Sequence, residues 1–333
     1  MLINKPYLLF LGDAPDQLAA KTAAGVAYWR PHDCLGQLRL PGCNADLGLP
    51  DMTVAQAAQR GAKTLIVGVA NRGGRFSEVW IRELLLALEA GMDIVNGLHH
   101  RLTDIPDLAA TAECLGRQLF DVRHPTSDFE VGTGKKRSGK RLLTVGTDCS
   151  VGKMYTALAI EKEMQTRGMQ ATFRATGQTG ILIAGGGVSV DAVVADFIAG
   201  AVEALSPAND AGHWDVIEGQ GSLFHPSFAG VSLGLLHGAQ PDALVMCHEP
   251  TRPHMRGVAD YSLPRLDECI AANEAAARLT NPHATCIGIS INTANLTATD
   301  AERLLRETEA RLQLPCVDAV RTSVAPLVDR LTG

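Results

Sequence analysis

Short apolar runs alternate along this chain with stretches whose apolar residues recur every three or four positions. The first pattern reads as buried strand and the second as amphipathic helix. In the first half, residues 7–11 predict a strand closed by Gly12-Asp13, and residues 64–69 a stronger one, rich in β-branched side chains. The turn-forming run Asn71-Arg72-Gly73-Gly74 follows it. Residues 78–90 predict a helix, with Ile81, Leu84, Leu85 and Leu88 at helical spacing and Gly91 to end it. A short strand over 93–96 precedes a second helix over 105–115, with Thr103 and Asp104 as caps. The second half repeats the alternation, with strands over 142–145, 215–218, 243–247 and 285–291. Its helices include 154–166 and 266–279.

Such alternation implies an α/β protein with mostly parallel sheets and helices on both faces. The 333 residues, 46% of them hydrophobic, suffice for two domains. Residues 124–140 are rich in Gly, Ser, Pro and Lys and lack apolar periodicity. They predict a flexible basic connection. The expected division is a first domain over 1–130, a linker over 131–140 and a second domain over 141–333.

Composition narrows the function classes. A net charge of −6 with mixed signs argues against nonspecific nucleic-acid binding. The eight cysteines form no CxxC pair, so they read as free thiols of a reducing cytosol. The N-terminal apolar stretch is too short to span a membrane and lacks a signal-peptide pattern. A cytoplasmic protein without membrane contact is expected, and base rates favour a homo-oligomer.

The sharpest chemical signal follows the strand over 142–145. Gly146, Thr147, Asp148, Cys149, Ser150, Val151, Gly152, Lys153 and Met154 run directly into a helix. Strand, glycine loop, lysine and helix in that order are the context of a phosphate-binding P-loop. Backbone N–H groups and the helix N-terminus face the anion, and lysine adds a full charge. Two details depart from the common pattern. Five residues separate Gly146 from Gly152, one more than usual, and Met154 stands where Ser or Thr places a hydroxyl on Mg²⁺. A thioether is a poor ligand for that cation, and Thr156 points elsewhere on the helix. The loop is therefore expected to hold phosphates without breaking them, and with no metal required.

The loop resembles that of dethiobiotin synthetase-like P-loop proteins. So do Glu218-Gly219-Gln220-Gly221 after a strand, and Asn292 at the end of the strand over 285–291. That resemblance implies that Asn292 reads an adenine base. A closer resemblance covers nearly the whole chain. It rests on Asn71-Arg72-Gly73-Gly74, the Met-ended loop, Arg174 to Gly180 (RATGQTG), Glu218 to His225 (EGQGSLFH) and His248 to Arg252 (HEPTR). These motifs are similar to those of the family that includes the DgcN-type D-glutamate N-acetyltransferases. The resemblance implies an N-terminal Rossmann-like domain and a C-terminal P-loop domain. It also implies acetyl-CoA as cosubstrate and an acidic amino acid, D-glutamate, as acceptor. Coenzyme A carries phosphates that need holding and not cleavage, which agrees with Met154.

Other candidates carry two readings each. Glu218 and His225 are candidates for taking the ammonium proton, or else are structural. Arg72, Arg174, Gln178 and Arg252 are candidates for binding the substrate; the arginines could otherwise serve surface ion pairs. Arg256 and His248 stand in the same position. The alternatives to an acetyltransferase are a magnesium-dependent kinase or ligase of the dethiobiotin synthetase type and a non-catalytic nucleotide-binding regulator. An NAD-dependent epimerase is weaker still, because Gly12-Asp13-Ala14-Pro15 is no dinucleotide loop.

Overall fold

The computed structural model describes residues 3–69, 74–125 and 128–332. In chain order its elements begin β1 (Tyr7–Gly12), α1 (Lys21–Trp29), β2 (Cys34–Arg39), α2 (Val54–Gln59), β3 (Thr64–Val67), α3 (Glu78–Glu89), β4 (Asp93–Asn96), α4 (Pro106–Leu115) and β5 (Leu119–Asp121). There follow β6 (Lys140–Gly146), α5 (Lys153–Thr166), β7 (Ala171–Arg174), α6 (Gln178–Ala184), α7 (Ile198–Leu205), β8 (Trp214–Ile217) and α8 (Ala229–Ala239). The chain ends with β9 (Ala243–His248), α9 (Leu266–Arg278), β10 (Thr285–Ile291), α10 (Ala298–Leu312), β11 (Cys316–Val317) and α11 (Ala325–Thr332).

These elements form two compact units, Met1–Thr126 with Gln178–Ala192, and Ser127–Gly177 with Val193–Gly333. The first holds a sheet of order β2-β1-β3-β4-β5 and the second a sheet of order β11-β10-β9-β6-β8-β7. Every strand pairing in both is parallel. Helix-covered parallel strands read as unbroken apolar runs, as Leu8, Leu9, Phe10 and Leu11 do, all fully buried. The α/β expectation is met in both halves.

Local chemistry sets the element ends. The Ser77 hydroxyl accepts from the Trp80 N–H and starts α3. The second expected helix begins at Pro106 instead of at a Thr103 or Asp104 cap, because proline presets the first helical φ. Asp104 lies in a short 3₁₀ turn, Leu102–Asp104, whose Leu102 N–H is held by Asp121 at 2.8 Å.

Two segments differ from the simple pattern. The basic stretch over 131–140 is not loose. Backbone N–H groups of Thr133 and Gly134 donate to the Glu203 carboxylate at 2.9–3.0 Å. Arg137 donates to the carbonyls of Glu203 and Ser206, and of Gly238 and Ala239, at the C-terminal ends of α7 and α8. Unsatisfied helix-end carbonyls carry partial negative charge, and a guanidinium suits them. Next to it Arg141 is fully buried, with donors on Ser206 Oγ and the carbonyls of Ser138 and Pro207.

The other segment is 178–192, which lies within the second half by sequence but packs in the first unit. Thr179 Oγ1 donates to Thr22 Oγ1 at 3.2 Å, in the first turn of α1. The Gln178 side chain fills the space where a Cβ on Gly97 would stand. Arg123 pairs with Asp191 and donates to the Gly97 carbonyl at 2.8 Å. In a sheet of this order, ligands seat at the carboxyl ends of the strands near the first helix. Here α6 lies against α1, the helix that follows β1.

Candidate functional site

The phosphate loop leaves the carboxyl end of β6, a strand flanked by β9 and β8. Gly146 leaves no room for a side chain. A Cβ on Gly146 would stand 2.9 Å from Val151 Cγ2 and 3.1 Å from Lys153 Nζ. A Cβ on Gly219, in the facing turn, would lie 1.7 Å from the Thr144 carbonyl oxygen and 2.9 Å from Lys153 Cδ. The longer loop turns through two left-handed residues, Ser150 (φ +53°) and Gly152 (φ +104°). Alternation of this kind gathers successive N–H groups into an anion-binding concavity.

Lys153 opens α5 and is buried. Its Nζ donates to the carbonyls of Asp148 and Gly221, each at 2.8 Å. Burial pushes its pKa below the usual lysine range. Thr147 is tied to β9, with its N–H on the Cys247 carbonyl at 3.1 Å and its hydroxyl 2.9 Å from His248 Nδ1. Ser222 donates to the Thr147 carbonyl at 3.1 Å. Thr156 is turned into the core, where its hydroxyl meets Ser290 Oγ at 2.8 Å, as the helical period predicts. It cannot take the place of the hydroxyl that Met154 lacks.

Asp148 is the pivot of the loop. Its carboxylate is fully buried. It accepts from the Cys149 N–H at 2.6 Å, the Arg256 N–H at 2.9 Å and Arg252 Nη1 at 2.6 Å. Arg252 also donates to the carbonyls of Cys149 (2.6 Å) and Ser150 (2.7 Å), and to Glu249 at 2.9 Å. The arginine expected to meet substrate thus spends its fork on the phosphate loop. A local clue existed in the acid–arginine spacing of Glu249-Pro250-Thr251-Arg252, but not the partner.

The other candidates separate. Asn292 follows β10 and borders the loop, with its Cβ 3.9 Å from where a Cβ on Gly152 would be. Its Oδ1 accepts from the Ala294 N–H at 3.1 Å. Glu218 is buried beside the loop, and its Oε2 accepts from the N–H groups of Thr176 (2.9 Å) and Gly177 (3.1 Å). His225 has both ring nitrogens engaged by backbone groups. Nε2 bonds the Arg256 carbonyl at 3.0 Å and Nδ1 accepts from the Ser227 N–H at 3.1 Å. Arg174 ends β7, and its carbonyl accepts from the Glu218 N–H at 3.0 Å. Its Nε donates to Asp215 at 2.9 Å, three residues before Glu218 on the same strand run. Gln178 belongs to the first unit and the loop residues to the second. Arg72 lies outside the described residues.

Among the described residues one group approaches metal-ligand spacing: Asp148, Cys149 and His225 place one ligand atom each within 4.8 Å of one another. Its chemistry does not suit a cation. Arg252 already neutralises the Asp148 carboxylate, and the His225 nitrogens are committed to backbone groups. Among the described residues no helix is long and apolar enough to cross a membrane.

Fold and site together define an α/β protein with a P-loop unit and a Rossmann-like unit in one chain. The chain belongs to the DUF1611 family. A domain of unknown function (DUF1611_C) P-loop domain matches residues 130–328, and the DUF1611_N Rossmann-like domain matches residues 38–125. A D-glutamate N-acetyltransferase of Tritonibacter scottomollicae is 57% identical over 332 residues, covering 100% of each chain. A D-glutamate N-acetyltransferase of a Pseudoalteromonas species is 50% identical over 331 residues, covering 99% of this chain and 100% of that one. The crystal structure of a DUF1611 family protein from Anabaena variabilis matches with a TM-score of 0.90 at 33% identity, covering 99% of each chain.

Proposed function

We propose that this chain is an N-acetyltransferase that moves the acetyl group of acetyl-CoA to the amine of D-glutamate. The full-length likeness to two proteins of that name carries the proposal. The loop agrees with it. Lys153 and the N–H groups of the glycine loop would hold coenzyme A phosphates, and Asn292, beside Gly152, would meet the adenine. Nothing in this task calls for cleaving a phosphate, so the thioether of Met154 costs nothing.

In the reaction the free amine attacks the thioester carbonyl. The C–N bond forms, the C–S bond breaks, the coenzyme leaves as thiol, and the ammonium proton passes to a base. Of the two residues expected to take it, Glu218 is the carboxylate, buried beside the loop and accepting from the Thr176 and Gly177 N–H groups. The pantetheine arm separates the thioester from the phosphates by two amide units. Glu218 therefore serves as base only for a donor whose arm folds back towards β8.

The test is thiol release from acetyl-CoA with D-glutamate as acceptor, L-glutamate as comparison and EDTA present. Release that depends on D-glutamate, with N-acetylglutamate formed, is expected. No release, together with ADP formed from magnesium-ATP, would move the protein to the kinase or ligase class.

A further inference from the structure

Residues 146–153 face a specific difficulty. A P-loop works only if its peptide planes are turned so that N–H groups point inward. In most such loops a metal ion held by the following hydroxyl helps to fix the bound phosphates. Met154 removes that hydroxyl, and Thr156 is committed to Ser290.

The guanidinium of Arg252 supplies an ordering element from the other side. Its Nη1 donates to the Cys149 carbonyl and its Nη2 to the Ser150 carbonyl. In a planar trans peptide the C=O and the following N–H point in opposite directions. Fixing those two carbonyls on Arg252 therefore aims the N–H groups of Ser150 and Val151 away from it, towards the concave side. The same guanidinium is held in place from behind by Glu249 and from the side by Asp148. Asp148 Oδ1 in turn accepts the Cys149 N–H. Two carboxylates and one planar fork thus set three consecutive peptide groups.

We propose that Arg252 is the positioning residue of the phosphate loop: clamped by Glu249 and Asp148, it turns the Cys149 and Ser150 peptides so that the loop binds a diphosphate without magnesium. The proposal deepens the acetyltransferase reading by giving the donor's diphosphate a metal-independent seat. It requires the planar fork and not merely a positive charge, because one ammonium cannot hold both carbonyls and the Asp148 carboxylate in that geometry.

The test uses the full chain and three probes: ADP with EDTA, ADP with magnesium, and acetyl-CoA. Arg252→Lys keeps a cation beside Asp148 and is the informative variant; Arg252→Ala removes it and serves as the extreme. For Arg252→Lys with a melting temperature near wild type, a 10-fold or greater rise in the dissociation constant for ADP is expected. The KM for acetyl-CoA should rise in step, while kcat at saturating donor stays within a few-fold. A merely structural arginine would not produce that split between KM and kcat. ADP affinity unchanged in a folded Arg252→Lys protein would overturn the proposal, as would a 10-fold gain in wild-type affinity on adding magnesium. If wild type binds ADP and loses it in Arg252→Lys but acetylates nothing, the positioning role stands and the acetyltransferase reading falls.

Discussion

The Thr147 hydroxyl and His248 Nδ1 stand 2.9 Å apart, joining the phosphate loop to the end of the neighbouring strand β9. Burial pushes the His248 pKa down to about 4; the nearby Arg252 charge acts in the same direction and Glu249 opposes it. The ring is therefore neutral at neutral pH.

A folded pKa below the unfolded value of about 6.5 means that the unfolded chain binds the proton more readily. The stability tied to neutral His248 is full above pH 6.5 and is lost as pH falls from there through about 4. The loss is on the order of 3 kcal/mol. Thermal melts across this window should show His248→Asn with a shallower acid decline than wild type. An unchanged slope would remove His248 from the acid response.

Lys153→Ala should weaken acetyl-CoA binding by roughly 10- to 100-fold, the worth of a charge-assisted hydrogen bond to phosphate. Calorimetry with acetyl-CoA and ADP checks it, and wild-type affinity in the variant would withdraw the phosphate assignment. Without ligand the substitution also leaves the Asp148 and Gly221 carbonyls without this donor. A stability cost of about 1 kcal/mol is expected beside the binding loss.

What was legible in the chain was local chemistry. Strand, glycine loop, lysine and helix occur in one short stretch, and the helical period alone turns Thr156 away from the position of Met154. The strand over 285–291 coincides with β10 residue for residue, because its apolar run is bounded by turn residues. What was hidden needed partners distant in sequence. Nothing near Arg174 says that Asp215, 41 positions on, will take its guanidinium. Nothing near His225 says that the Arg256 carbonyl, 31 positions on, will take its Nε2. A stretch of Gly, Ser and Lys reads as flexible until the C-terminal carbonyls of α7 and α8 are seen to capture Arg137. The assignment of 178–192 to the first unit likewise depends on Thr22, Gly97 and Arg123, which no periodicity connects to it.

Met154→Thr should give the loop back its hard ligand. Wild type is expected to bind ADP equally with magnesium or EDTA, whereas the variant should gain several-fold in affinity on adding magnesium. Titrations with both proteins decide it. A magnesium response in wild type and none in the variant would place the metal-binding group elsewhere.

Glu218 can be tested for two roles at once, because its carboxylate also holds the backbone of Thr176 and Gly177. Glu218→Gln keeps the size and one acceptor oxygen, so that turn should persist, while the amide cannot take a proton at neutral pH. If Glu218 receives the ammonium proton, kcat should drop by about 10²- to 10⁴-fold with donor affinity nearly intact. Raising the pH should restore part of the loss, because more of the amine is then already free. If Glu218 only shapes the phosphate seat, the dissociation constant for acetyl-CoA should rise instead, and kcat at saturation should stay close to wild type. The second pattern would move the search for the base away from the phosphate loop, towards the residues that meet the far end of the pantetheine arm.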